Sequence, residues 1–367
     1  MLFHSFLFMF YPILQEMLKF AAMKVIVSPD SYKECLPASK VAAVMAAAAR
    51  ERWPEAEVVE IPLADGGEGT LDVLAHALHA QIHTASVQDP LGRPVEARFG
   101  LSGETAIIEV AQACGLSLLT SAERHPLEAG TQGVGELLLA AYQAGARHFI
   151  VALGGSATCD GGEGLLQVPG IELLKEASFE LLCDVDAPFV GPRGAARVFA
   201  PQKGASPEEV EVLERRMLHQ AGWLYEHTGM DVSTLPGAGA AGGLGGALAA
   251  YFDARIQPGI DRILDLVSFD SMARGAHLII TGEGKSDAQT LMGKVPFGVL
   301  QRVRRLSANT PVALVSGRIE DRAALEQAGF NPLVEVTPHD LPLSEALKAA
   351  CAQRNLQQAS INGILSV

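Results

Sequence analysis

Four glycine-rich segments of this 367-residue chain carry an acid or a hydroxyl at their centre, and at least three of them follow an apolar run. They are Asp65-Gly66-Gly67-Glu68-Gly69, Gly154-Gly155-Ser156 through Asp160-Gly161-Gly162, Gly237-Ala238-Gly239 through Gly242-Gly243, and Gly282-Glu283-Gly284-Lys285-Ser286-Asp287. Glycine turns with positive φ and lets the backbone approach a ligand closely. Bare N–H groups at such a turn, aimed from a helix N-terminus, make a cradle for an anion. A carboxylate beside the cradle can hold a divalent cation or take a proton. Four such segments in one chain point to a site that handles phosphate.

Other residues fit the same chemistry with less force on their own. Asp30, Ser31 and Lys33 follow the first apolar run, where α/β sheets place ligands. Lys33 can set a point charge on a phosphate or a carboxylate, although a lone lysine there reads as solvated loop. Asp65, Asp160 and Asp184 sit near strand ends, where a single aspartate is usually an Asx turn or a cap. Several converging on one place would repel one another unless a cation or a proton transfer is involved. The stretch 191–205 carries three cations, Arg193, Arg197 and Lys203, and reads as a loop that can face an anion. Residues 282–296 are the densest, with Glu283, Lys285, Asp287, Thr290 and Lys294. Two familiar motifs fail. Gly284-Lys285-Ser286 imitates the end of a Walker A loop, but the earlier glycine it needs falls on Ile279. Gly237–Gly242 fits G-x-G-x-x-G, yet Val232–Pro236 is a poor strand, so tight packing is as good a reading as phosphate binding.

The elements that must position these residues alternate. Strands are expected at Val25–Ser28, Val58–Leu63, His148–Leu153, His277–Thr281, Val312–Ser316 and Leu333–Val336. Helices are expected at Ala38–Arg52, Gly133–Ala144, Pro207–His227, Val299–Leu306 and Leu343–Cys351. Between them, Ala85–Gln88, Val95–Gly100 and Ala106–Val110 are closely spaced short runs parted by turn signals, so this region is antiparallel or mixed. The architecture expected is a Rossmann/flavodoxin-like parallel-sheet domain, residues 23–82 and 256–367, interrupted by an inserted second α/β domain with a mixed sheet, residues 83–255.

Composition narrows the partners. With 49% apolar residues the chain can bury a large core in two or three domains. A net charge of −14 argues against nucleic acid and anionic membranes, while a few local lysines can still hold a small anion. Five widely spaced cysteines without a CxxC pair read as free thiols of a reducing compartment, hence a cytoplasmic protein with no zinc site. Residues 1–22 are apolar at first but short for a membrane span and lack a basic leader. They are expected to be an appendage outside the fold, a membrane anchor being the weaker reading.

Taken in order, Pro29–Lys33, Ala64–Thr70, Gly154–Thr158, Phe199–Ala205, Pro236–Gly243 and Thr281–Lys294 resemble the bacterial glycerate kinase family, the group with the garK-type glycerate 2-kinases. No single motif decides this. The ordered set, covering nearly everything from Met23 onward, is specific. The resemblance implies two α/β domains, one inserted in the other, and ATP-dependent phosphorylation of D-glycerate with Mg²⁺, giving 2-phosphoglycerate. It places ATP against Gly154, Gly155, Ser156, Gly239, Gly242, Gly282, Glu283 and Gly284, with Lys294 or Lys203 neutralising phosphate. Asp30, Ser31, Lys33, Gly66 and Gly67 would meet the substrate. Asp65 and Asp287 would act as metal ligand and hydroxyl-activating base in either order, and Asp160 and Asp184 join Asp65 as metal candidates. The partners implied are glycerate and ATP, with a homodimer left open.

Three departures from the family stand out. Leu165–Leu182 is much shorter than its counterpart, Cys159 and Ala187 replace asparagines, and residues 1–22 precede the usual start. The first two motivate an alternative, a catalytically impaired homologue that binds nucleotide or glycerate.

Overall fold

The computed structural model describes residues 23–363, so the appendage expected at 1–22 lies outside the described residues. The chain enters through β1 (Lys24–Val27), α1 (Ala38–Arg52) and β2 (Glu57–Glu60). Then come α2 (Thr70–Ala77), β3 (Gln81–Gln88), β4 (Pro94–Ser102), β5 (Thr105–Glu109), α3 (Gln132–Gln143), β6 (His148–Ala152) and β7 (Ser178–Leu182). The run continues with α4 (Pro207–Thr228), α5 (Leu244–Phe252), β8 (Arg255–Gln257) and α6 (Gly259–Leu266). It returns through β9 (Leu278–Thr281), β10 (Lys285–Ser286), α7 (Val295–Leu306), β11 (Val312–Ser316), β12 (Arg318–Ile319), β13 (Leu333–Glu335) and α8 (Ala349–Gly363).

These elements form two compact units: residues up to Leu63 with those from Val267 onward, and Ala64–Leu266. In the first, five parallel strands run in the order β13-β11-β9-β1-β2. Strands β9 and β11 are buried along their whole length, as expected when helices cover both faces of a parallel sheet. Alanines let α1 lie close to this sheet, with Val41, Met45 and Ala49 in a core shared with Leu356 of α8. A two-residue parallel pair, β10 with β12, joins the loops that follow β9 and β11.

The second unit holds a six-stranded sheet in the order β3-β4-β5-β6-β7-β8. Strands β3, β4 and β5 pair antiparallel and the rest parallel, so the sheet is mixed. Phe149 and Phe179 stack at 4.8 Å in its core. The short 165–182 connection remains structured. Leu165, Val168, Ile171 and Leu174 are buried, and β7 pairs with β6 over five residues. Helix α4 starts on a capping box of Ser206 and Glu209 with Pro207 at its first turn.

The chain is thus an α/β protein with a parallel sheet and a mixed sheet. Strands β8, β10 and β12 have too few residues to show a pattern, and the sequence did not announce them. The single helix expected at Leu343–Cys351 is instead a short turn of helix, Leu343–Ala346, followed by α8, whose later residues escaped the reading because their buried stripe is narrow, Ala352, Leu356 and Ser360 in a polar sequence. Among the described residues, no helix is long and apolar enough to cross a membrane. All five cysteines are unpaired.

Gly282 ends β9 where an added Cβ would run into the carbonyl of Val315 in β11. Replacing it by alanine pushes two neighbouring strand ends apart. Gly282→Ala is expected to lose about 3 kcal/mol of unfolding free energy. A urea midpoint equal to that of the wild type would show that the strand ends can separate freely.

Candidate functional site

Parallel strands deliver their C-terminal ends to one edge, where α/β sheets bind ligands. In the first unit β1, β9 and β11 end side by side. The Ser28 N–H donates to Ile280 O at 2.7 Å, Asp30 N–H to Gly282 O at 2.8 Å, and Gly317 N–H to Glu283 O at 3.1 Å. Asp30 is buried and its Oδ1 accepts the Ser31 N–H at 2.6 Å. Lys33 is exposed, with its backbone nitrogen 3.5 Å from where a Cβ on Gly284 would stand. The structure therefore gathers Asp30, Ser31, Lys33, Gly282, Glu283 and Gly284 at one sheet edge.

Glu283 organises the loop that follows. Its Oε1 accepts from Thr290 Oγ1 at 2.6 Å and Ser286 Oγ at 3.0 Å, and its Oε2 lies 3.7 Å from Lys294 Nζ. Burial pushes its carboxyl up, and the Thr290 bond and Lys294 pull it back. Asp287 caps the short helix 288–292, Oδ1 accepting the Gln289 N–H at 2.9 Å, with Lys285 Nζ 3.6 Å from Oδ2. Lys294 stands at the N-cap of α7, and no side chain caps that twelve-residue helix. An uncapped helix start beside a lysine suits an oxyanion.

The second unit presents a pair of acids. Asp65 closes an Asx turn, Oδ1 accepting the Gly67 N–H at 3.1 Å. Gly66, with φ +87°, packs on Leu182 at the end of β7, and its carbonyl accepts the Gly154 N–H at 2.9 Å. Asp184 lies two residues beyond β7. Its Oδ1 accepts N–H groups of Gly259 and Ile260 at 2.8 and 3.4 Å, at the start of α6. Its Oδ2 is buried with no hydrogen-bond partner. A Cβ on Gly259 would meet both the Asp65 carbonyl and Asp184 Oδ2, so the two aspartates flank one residue. Burial first, and the Asp65 charge second, push the Asp184 carboxyl up to about 7. Two carboxylates around an unpaired buried oxygen fit Mg²⁺, which commonly uses one or two carboxylates and completes its shell with water and phosphate. Among the described residues, no group of three or more His, Cys, Asp or Glu could hold a metal alone.

The remaining predicted residues have structural partners. Asp160 accepts from Thr131 N–H (2.9 Å), Thr131 Oγ1 (2.8 Å), Gly164 N–H (3.1 Å) and Gly162 N–H (3.1 Å), which leaves it holding turns together. Lys203 is buried, and its Nζ donates to Ser156 Oγ at 3.0 Å and Thr158 O at 2.7 Å. Burial lowers its pKa. These bonds tie the 199–205 segment to the turn of Gly154, Gly155 and Ser156. A Cβ on Gly239 would strike the Pro188 carbonyl and one on Gly242 the Thr158 carbonyl, so both glycines serve close packing. No strand precedes that turn among residues 230–239, and the dinucleotide fingerprint lacks the context it needs.

One acid escaped the sequence reading. Glu109 ends β5 after Ile107-Ile108, the same acid-after-apolar-run signature as Asp184. It is 3% exposed, and accepts the Leu71 N–H at 2.7 Å and Gln112 Nε2 at 3.2 Å. Burial raises its pKa. It fills the N-terminus of α2, directly after the 65–69 turn. Glu109 on α2, Asp160 on residues 162–164 and Asp184 on α6 thus occupy three sets of N–H groups from within. The open cradles expected of these turns are closed by the protein's own acids.

The second unit carries paired acids that suit a hard cation, and the first carries a lysine at an uncapped helix start. A model of the glycerate kinase family matches residues 25–178 and 172–365, two runs that meet in the shortened connection. The chain is 39% identical to the glycerate kinase of Bacillus subtilis, over 89% of this chain and 94% of that protein. It is 37% identical to the glycerate 2-kinase of Escherichia coli, over 93% and 97%. A crystal structure from Salmonella typhimurium LT2, of a protein provisionally identified as glycerate kinase 2, superposes with a TM-score of 0.80 at 37% identity, over 94% of this chain and 98% of that one. The chain belongs to the glycerate kinase family and is a kinase.

Asp184 gives the fold a pH dependence. An unfolded aspartate titrates near 4, and the folded group near 7. The folded state therefore holds the proton more tightly, and the group's contribution to stability is lost as pH rises through that window. Metal-free Asp184→Asn is expected to lack this part of the decline in urea unfolding between about pH 4 and pH 7. A decline as steep as in the wild type would place the titration on another residue.

Proposed function

We propose that the protein transfers the terminal phosphoryl group of ATP to a hydroxyl of D-glycerate, giving 2-phosphoglycerate. The names of its relatives supply the substrate. The observation on this chain that carries phosphoryl transfer is the segment 282–294, where Glu283 anchors a loop that sets Asp287 beside Lys285 and Lys294 at the uncapped start of α7. Transfer with little covalent participation of the protein relies on positioning and on charge aimed at the transferring oxygens.

In this reading Lys294 and the first N–H groups of α7 neutralise phosphate. Asp65 and Asp184 would hold Mg²⁺, which supplies positive charge at the phosphoryl oxygens. Asp30, Ser31 and Lys33 meet a substrate at the end of β1, Lys33 through its charge. Gly66 and Gly67 bring backbone close to the glycerate. Asp287 takes the hydroxyl proton. Its N-cap bond and the nearby Lys285 orient its carboxylate. Ser156 and Lys203, with Gly154 and Gly155, shape the turn after β6.

The alternative of an impaired homologue gains no support at the departing positions. Cys159 is buried, with its Sγ 3.7 Å from Met217 Sδ in the core of the second unit. Ala187 is buried and its carbonyl accepts the Gly239 N–H at 2.9 Å. The short connection still brings Asp184 to the end of β7.

Incubation with Mg²⁺, ATP and D-glycerate, followed by ³¹P NMR, is expected to show ADP and 2-phosphoglycerate. Ligand-induced melting shifts without ADP would establish binding alone, and 3-phosphoglycerate would move the attack to the other hydroxyl. Asparagine caps a helix as well as aspartate, so Asp287→Asn should keep its melting temperature. Its kcat should fall about 100-fold or more at nearly constant KM. Normal turnover in that variant removes Asp287 from the role of base.

A further inference from the structure

The cations expected to face an anion along 191–205 are directed elsewhere. Arg193 is exposed and 3.9 Å from Asp186. Arg197 grips both oxygens of Glu211 at 2.5 and 2.9 Å. Lys203 donates to neutral oxygens of the 156–158 turn.

Arg124 differs from all three. It follows the short helix 121–123 and is half-buried. Its Nε is buried without a hydrogen-bond partner, and among the described residues no carboxylate pairs with it. Other arginines of the second unit are engaged: Arg93 with Asp89 and Glu123, Arg98 with Asp72, and Arg262 with Glu180. The place of Arg124 is also fixed. A Cβ on Gly204 would stand 3.1 Å from Arg124 Cβ and against its carbonyl. Gly204 follows Lys203, so Arg124 backs the segment that Lys203 ties to the Gly154–Thr158 turn.

A buried donor without a partner is costly, and natural proteins seldom keep one without a reason. The guanidinium is a rigid planar fork that matches the two oxygens of a carboxylate or phosphate, which an ammonium does not. We propose that Arg124 is the anion-binding residue of the second unit, closing on an oxyanion of a substrate, either the carboxylate of glycerate or a phosphate group. This rests on the phosphoryl-transfer reading above and adds to it the residue that recognises the charge.

The test compares wild type, Arg124→Gln and Arg124→Lys in steady-state turnover of ATP and D-glycerate, with ligand-free melting temperatures as the control for folding. The expected result is a KM raised roughly 30-fold or more for one of the two substrates, with a smaller change in kcat and an unchanged melting temperature. A rise confined to glycerate assigns the carboxylate, and one confined to ATP assigns a phosphate. Arg124→Lys keeps the charge without the fork and carries the test should the glutamine variant fail to fold. Unchanged KM values for both substrates overturn the inference. A wild type that turns over no glycerate sinks the functional reading instead. The inference is then decided by sodium phosphate: a melting rise in the wild type that Arg124→Lys lacks upholds it, and equal behaviour overturns it.

Discussion

A carboxylate buried at the end of a strand must be met by hydrogen bonds or by a counter-charge, or it takes up a proton. This protein meets the requirement mainly with backbone N–H groups at helix starts. Glu109 accepts from Leu71, Asp160 from Thr131, Gly162 and Gly164, Asp184 from Gly259 and Ile260, and Asp287 from Gln289. The bonds of Glu109 to Leu71, Asp160 to Thr131 and Asp184 to Gly259 join segments distant in sequence, whereas that of Asp287 is a local cap. The glycines matter for a matching reason. With a side chain on Gly242 or Gly282 the backbone could not come so close to the carbonyl of Thr158 or of Val315.

Against that background the unmet groups are informative. Asp184 Oδ2 and Arg124 Nε are buried without partners, as is Glu214 Oε2, whose carboxylate takes the Gly191 N–H through its other oxygen. Asp184 is the carboxylate proposed for Mg²⁺, and Arg124 the donor proposed for a substrate anion. In the first unit the start of α7, like that of α1, has no side-chain cap. Helix α7 has a lysine, not an acid, at its N-cap, although Asp and Glu are the usual stabilisers there. That choice costs helix stability and leaves room for a ligand's negative charge.

Much of this was legible before any coordinates. Helix α1 has the bounds its flanking prolines announce, and the strands at 312–316 and 278–281 stand where uninterrupted Val, Leu and Ile runs put them. Asp65 and Asp287 were visible as acids beside glycines, and the local partners of both, an Asx turn and a cap, are the ones short-range rules suggest. What sequence could not show is long-range pairing. Asp160 looked like a ligand because nothing in its neighbourhood names Thr131, 29 residues away. Lys203 read as a loop cation able to face an anion, because its partners, Ser156 and Thr158, lie 47 and 45 residues earlier. Arg124 carries no local signal at all, since an arginine in a polar loop is ordinary until its surroundings are known.

The central proposal is that acids of the second unit close its 65–71 and 154–164 turns and that phosphate is met by the uncapped start of α7. A crystal structure with Mg²⁺ and a non-hydrolysable ATP analogue tests this most directly. The account predicts phosphate oxygens on Lys294 and on the N–H groups of Val295 and Phe297, with Glu109 and Asp160 still on their present partners. Phosphates seated on the N–H groups of Leu71, Gly162 or Gly164, with those acids displaced, would contradict it.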